Sequence, residues 1–112
     1  MAFIEQSQFN VIIADTWLKR AGGLLRMPTL SGGEFLWLKP CRSIHTFGMR
    51  YAIAVFFLDQ HNRVIDFKPT LRPNRLAFNA QAFSVVEGLP FAREQSATVI
   101  AQLEFELSSA GG

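Results

Sequence analysis

One cysteine, one tyrosine and no apolar run long enough to cross a membrane set the first limits on this 112-residue chain. A lone Cys41 excludes an intramolecular disulfide and suits a reducing compartment. The longest apolar run, 51–58, has eight residues, against the ~20 that a helical span requires. Met1-Ala2-Phe3-Ile4-Glu5-Gln6-Ser7 lacks a basic segment followed by an apolar core, so no secretory signal is read there. The expectation is a soluble, cytoplasmic protein without a membrane partner. Gly32-Gly33 is not followed by the Lys-Ser/Thr of a phosphate-cradling loop. No Cys-x-x-Cys or His-x-x-x-His spacing occurs either, so neither a metal nor another cofactor is expected. Repeats, low-complexity tracts and linkers are also lacking, which leaves a single domain, 1–112, with its core at 9–107.

Apolar side chains, by contrast, are plentiful: eleven Phe and two Trp within 49% hydrophobic residues. A domain of this size buries roughly two-thirds of its unfolded surface, enough for a core without staples. The net charge of +2 is too small to name a partner, but its distribution is uneven. Between 39 and 75 lie Lys39, Arg42, Arg50, Arg63, Lys68, Arg72 and Arg75 against Asp59 and Asp66, a block of +5; the remainder, four basic and seven acidic residues, carries −3. Such cations either discourage strand edges from pairing or face an anion.

Segments 9–14, 34–38, 52–58, 63–71 and 83–87 read as strands. The run 52–58 does not alternate and is bounded by turn signals, so it is expected to be buried on both faces. Asp59-Gln60-His61-Asn62 supplies a hairpin loop in which Asn62 tolerates positive φ. Arg72-Pro73-Asn74-Arg75 is another turn, and 44–49 is irregular or a strand broken at Gly48. Trp17, Leu18, Ala21, Leu24 and Leu25 predict one short N-terminal helix, stopped before Pro28 and followed by a turn at 30–33. One helical turn is expected within 91–97. Leu103, Phe105 and Leu107 alternate with Gln102, Glu104 and Glu106, which predicts a last, half-buried strand over 98–107 with its carboxylates in solvent. Together these elements predict a mostly β, antiparallel sandwich or barrel-like domain.

The run Cys-Arg-Ser-Ile-His-Thr-Phe-Gly-Met-Arg at 41–50, followed by Phe57-Leu58-Asp59, resembles the signature of the domain of unknown function 192 family. Upstream Gly23-Leu24-Leu25, Leu30 and Gly33-Glu34, and downstream Leu71-Arg72-Pro73 and Val85-Val86-Glu87, follow in the family's order and spacing. The resemblance implies a compact, jelly-roll-like β domain and no established activity. Departures accompany it. Where the family usually has Pro-x-Asp in the central strand this chain has Ala52 and Ala54, and the usual hairpin glycine is Asn62. A Gly-Asp pair usual before the last strand is Ile100-Ala101, and the arginine usual before the proline is Met27. If the two missing carboxylates carry a family function, this chain lacks it.

Within the central stretch, Cys41 and His45 suggest a nucleophile and a base. On a strand, however, they stand roughly 13 Å apart with no third orienting group. His45 and Thr46 either bond to neighbouring backbone and pin an irregular strand, or line a pocket to which Arg42, Arg50 or Arg72 adds positive charge. Phe47, Met49, Trp37 and Tyr51 are expected in the core. Three functions follow, in order. The first is a non-catalytic domain binding a small anionic ligand or a protein partner through Arg42, His45, Thr46, Arg50 and Arg72. The second is a small enzyme centred on His45 with Cys41 or Thr46. The third is a weak nucleic-acid binder using the basic block 39–75, placed last because no exposed interleaving of aromatic and basic residues is legible.

Overall fold

A computed structural model describes residues 10–14 and 34–110. In chain order these form β1 (Asn10–Ala14), β2 (Glu34–Leu38), β3 (Ser43–His45), β4 (Ile53–Leu58), β5 (Val64–Leu71), β6 (Leu76–Phe78) and β7 (Ser84–Gly88). A 3-10 turn at Arg93–Gln95 then leads into α1 (Ser96–Ala110). Five strands form one sheet in the order β1-β2-β7-β4-β5, and β3 pairs with β6 in a separate ribbon. The pairings are antiparallel except that of β1 with β2, which is parallel. With β1 and β5 at its edges the five-stranded sheet is open, so the barrel-like expectation is not met. The described chain is mostly β with one C-terminal helix.

The lack of alternation in β4 has the expected cause: every residue from Ile53 to Leu58 is buried, because both faces of the sheet are covered. Ile53, Val55 and Phe57 join Leu36, Leu38 and Val85 under the ribbon's Ile44 and Ala77. Ala54, Phe56 and Leu58 join Phe35, Trp37 and Val86 under Leu103 and Leu107 of α1. The indole N–H of Trp37 donates to Ser84 Oγ at 3.0 Å, which satisfies its one polar atom inside this second layer. Of the four residues assigned to the core, Trp37 is buried, while Met49 and Tyr51 pack partly buried against the ribbon-side cluster.

Turn chemistry follows the sequence closely. Asn62 closes the β4–β5 hairpin at φ 63°, and Asp59 Oδ1 accepts the N–H groups of His61 (2.8 Å) and Arg63 (3.0 Å). Those bonds, led by the one from Arg63, hold the Asp59 carboxyl below the usual carboxylate range.

The strand expected over 98–107 is a helix. Period two puts Leu103, Phe105 and Leu107 on one side, whereas a helix puts Leu103 and Leu107 together and Phe105 opposite. Leu103 and Leu107 are fully buried and Phe105 is 55% exposed. The partly buried Val99 and Ile100, one turn earlier, extend the helical stripe that a six-residue window cannot distinguish from alternation. Glu104 consequently leaves its expected solvent face. Its carboxylate accepts Arg63 Nε at 3.2 Å and the Val64 N–H at 2.8 Å, tying α1 to the start of β5. The N-terminal helix and the turn at 30–33 lie outside the described residues.

Candidate functional site

Thr46 organises the stretch that carries the motif. It is fully buried, and its hydroxyl donates to the Arg72 carbonyl (2.7 Å) while accepting the Arg75 N–H (2.8 Å). Its backbone N–H donates to the Arg75 carbonyl (2.9 Å), and its own carbonyl accepts from Met49 (3.1 Å) and Asn74 (2.9 Å). The 72–75 turn, with Asn74 at φ 62°, is thereby locked against the end of β3. The Met49–Thr46 bond closes a second turn over 46–49. Gly48 takes its third position at φ 81°, a conformation that costs glycine no steric clash. The Gly48 N–H also donates to Asn74 Oδ1 at 3.1 Å, which joins the two turns.

This geometry reverses one expectation. Phe47, assigned to the core, occupies the outward tip of the 46–49 turn and is 52% exposed. The His45 ring stacks on it at 5.0 Å and 20°, and His45 Nδ1 accepts the Phe47 N–H at 3.3 Å. The β3–β6 register pairs Ser43 with Phe78 and His45 with Leu76, and all four point away from the core. The ribbon's outer face is therefore aromatic and aliphatic, with exposed arginines beside it.

At the opposite end of the ribbon, Arg42, Cys41, Pro40, Ala82 and Phe83 line an open pocket of about 410 Å³. The Cys41 thiol donates to the Ser43 carbonyl at 3.1 Å, and the Cys41 N–H to the Phe83 carbonyl at 3.1 Å. The peptide bond between Lys39 and Pro40 is cis. The ion pair formed among the described residues is Arg63–Glu104. Arg42, Arg50, Arg72 and Arg75 are exposed and have no carboxylate partner among those residues.

The five residues singled out in the sequence thus fall into four places. Arg42 lines the pocket, His45 lies on the outer ribbon face, and Thr46 is interior and engaged with backbone. Arg72 is drawn to Thr46 through its carbonyl, and Arg50 is exposed just beyond the 46–49 turn.

Glu87 escaped the sequence reading. It is buried on β7 beside Leu36 and Val55, and its Oε1 has no hydrogen-bond partner among the described residues. Burial pushes its carboxyl up to about 7. The Tyr51 hydroxyl is likewise buried with no hydrogen-bond partner among the described residues, and its pKa is raised first by burial and then by the negative charge of Glu87. The available signal was position: Glu87 directly follows Val85-Val86 in a strand flanked on both sides.

Fold and site together define a small, mostly β domain with an open sheet and an arginine-flanked ribbon. The chain belongs to the domain of unknown function 192 (DUF192) family, described as an uncharacterized ACR, whose model matches residues 2–102. Among curated proteins none matches. A crystal structure of a protein of unknown function from Novosphingobium aromaticivorans is similar in fold, with a TM-score of 0.68 at 17% identity, over 82% of this chain and 69% of that one. Of the two family carboxylate positions that are alanine here, Ala54 is buried beneath α1. Ala101 lies on the exposed side of that helix, beside Ala97, Thr98, Gln102 and Phe105.

Proposed function

We propose that this protein is a non-catalytic binding domain that receives a small anion, a carboxylate or a phosphate, at the Arg42 end of its ribbon. The observation carrying this reading is the 410 Å³ pocket in which exposed Arg42 stands beside the Phe83 ring without a carboxylate partner among the described residues. A planar guanidinium offers paired donors to a carboxylate or phosphate, and the ring supplies an apolar wall. Sheet and ribbon act as a sandwich-like, jelly-roll-like scaffold, and Thr46 serves it by fixing the turn that carries Arg72 and Arg75. The working compartment in this reading is the cytoplasm. Enzymatic use of His45 is less well supported, because its ring faces outward against Phe47 while the Cys41 thiol bonds the Ser43 carbonyl.

Thermal-shift titrations with inorganic phosphate, pyrophosphate, acetate and citrate test the proposal. A ligand at 100 times its Kd stabilises the folded state by about 2.7 kcal/mol. At least one of these anions should raise Tm, and Arg42→Gln should abolish that rise without lowering the Tm of the unliganded protein. An unchanged Tm with all four, or a shift that survives Arg42→Gln, defeats the reading.

A further inference from the structure

We infer that the ribbon face binds single-stranded nucleic acid, its phosphates held by arginines at the two ends and its bases stacked on the rings between them. This rests on the anion-binding reading and names the partner.

The arginines form two groups rather than one. Arg42 immediately precedes β3, whereas Arg72 and Arg75 are held at the other end of that strand by Thr46. Four residues of extended chain separate position 42 from position 46, roughly 13 Å. Cations placed at the two ends of one strand suit an extended polyanion.

Between the groups the ribbon presents the His45 ring, Leu76 (64% exposed) and Phe78 (63%). Phe83, 50% exposed, lies at the Arg42 end, and Phe47, stacked with His45, at the other. A ligand that suits it carries regularly spaced negative charge and presents flat apolar faces between the charges, which describes an unpaired nucleic-acid strand. Stacking of bases on exposed rings tolerates any sequence, and Ser43 and His45 are the polar side chains of β3 and β6 on the outer face, so little sequence preference is expected. Asp66 on β5 accepts from Asn79 Nδ2, just past β6, at 3.4 Å, and the 39–75 block as a whole carries +5. An acidic peptide would satisfy the arginines but leave the ring faces unused.

Fluorescence anisotropy with fluorescein-labelled fifteen-nucleotide oligo-dT and oligo-rU tests this. A fifteen-base-pair duplex, poly-glutamate and heparin serve as comparison probes, across a salt series. Single strands should bind more tightly than duplex or poly-glutamate. Phe78→Ala and Phe47→Ala should each weaken single-strand binding roughly five- to a hundred-fold. The log–log salt slope should be close to −0.7 per phosphate engaged, and Arg72→Gln should make it shallower by about that amount. Far-UV circular dichroism and Tm keep loss of folding separate from loss of binding. If heparin or poly-glutamate binds and neither phenylalanine substitution matters, stacking is wrong while the anion-binding reading survives. If duplex binds as tightly as single strand, the inference also fails. If no polyanion binds and none of the small anions raises Tm, both readings fall.

Discussion

Glu87 lies on a central strand between Leu36 and Val55 at 4% exposure, and there its carboxylate loses water while Oε1 gains no donor among the described residues. The chain avoids much of the cost by keeping the group protonated over a wider range, which is why burial lifts the carboxyl to about 7 from 4.5. The direction of the resulting pH effect follows from linkage. The folded state holds this proton more tightly than the unfolded chain does, so its contribution is fully present below about pH 4.5 and is lost as pH rises through about 7. Urea midpoints should therefore fall between pH 5 and pH 8.5. Glu87→Gln, which cannot ionise, should flatten that fall and be the more stable protein at pH 8.5, by roughly 3 kcal/mol at most. The Tyr51 phenol, raised partly by the Glu87 charge, should titrate lower in the same variant when followed by ultraviolet absorbance. A wild-type profile as flat as that of the variant would show that the carboxyl does not titrate in this window. Neither this burial nor the exposure of Phe47 could be read from residue type. Glutamate ordinarily faces water and phenylalanine the interior, and here strand order decides the first and a turn tip the second.

At the level of single elements, legibility tracked how many neighbours an element needs. The bounds of β2 and β4 fall within a residue of those expected, because a short β-branched and aromatic run between Gly/Pro signals defines its own ends. The three residues of β6 are too few to show a period, and only their pairing with β3 makes them a strand. Helix α1 was hidden by an accident of order, since apolar and polar residues alternate over 102–107 while Leu103 and Leu107 also share a helix face, and Val99 and Ile100 are needed to separate the two periods. The layer beneath α1 also explains what the departures from the family pattern mean here. Ala54 is fully buried opposite Gly88, facing Leu103 and Leu107, while Ala101 looks outward from the helix. Restoring the family residue by Ala54→Asp should therefore bury an unpaired carboxylate and destabilise the protein by several kcal/mol in urea denaturation at pH 7. Adding Ala101→Asp should leave that loss unrepaired. If the double variant recovered wild-type stability, the two positions would have to communicate, contrary to their places on opposite sides of α1.

Among the described residues, one face of the sheet is closed by a helix whose buried side chains hold it down, and the other by a two-stranded ribbon that packs through one of its two sides. Ile44 and Ala77 point inward and join the core, while Ser43, His45, Leu76 and Phe78 point outward. That division assigns stability and binding to different side chains of the same two strands. Ile44→Ala removes buried methyl groups and should cost roughly 2–4 kcal/mol, read as a lowered urea midpoint with unchanged slope. Leu76→Ser and Phe78→Ser remove exposed apolar surface and should leave the midpoint within about 0.5 kcal/mol of wild type. In the oligonucleotide titration the order should invert: Phe78→Ser loses affinity, and Ile44→Ala keeps it at temperatures where the variant stays folded. A large stability loss from Phe78→Ser would mean that the ring is a packing residue, and the outer ribbon would then need no ligand to account for it. Clear separation of the two effects would instead leave this apolar face without a packing role among the described residues, and exposed apolar surface of that kind marks a place where something docks.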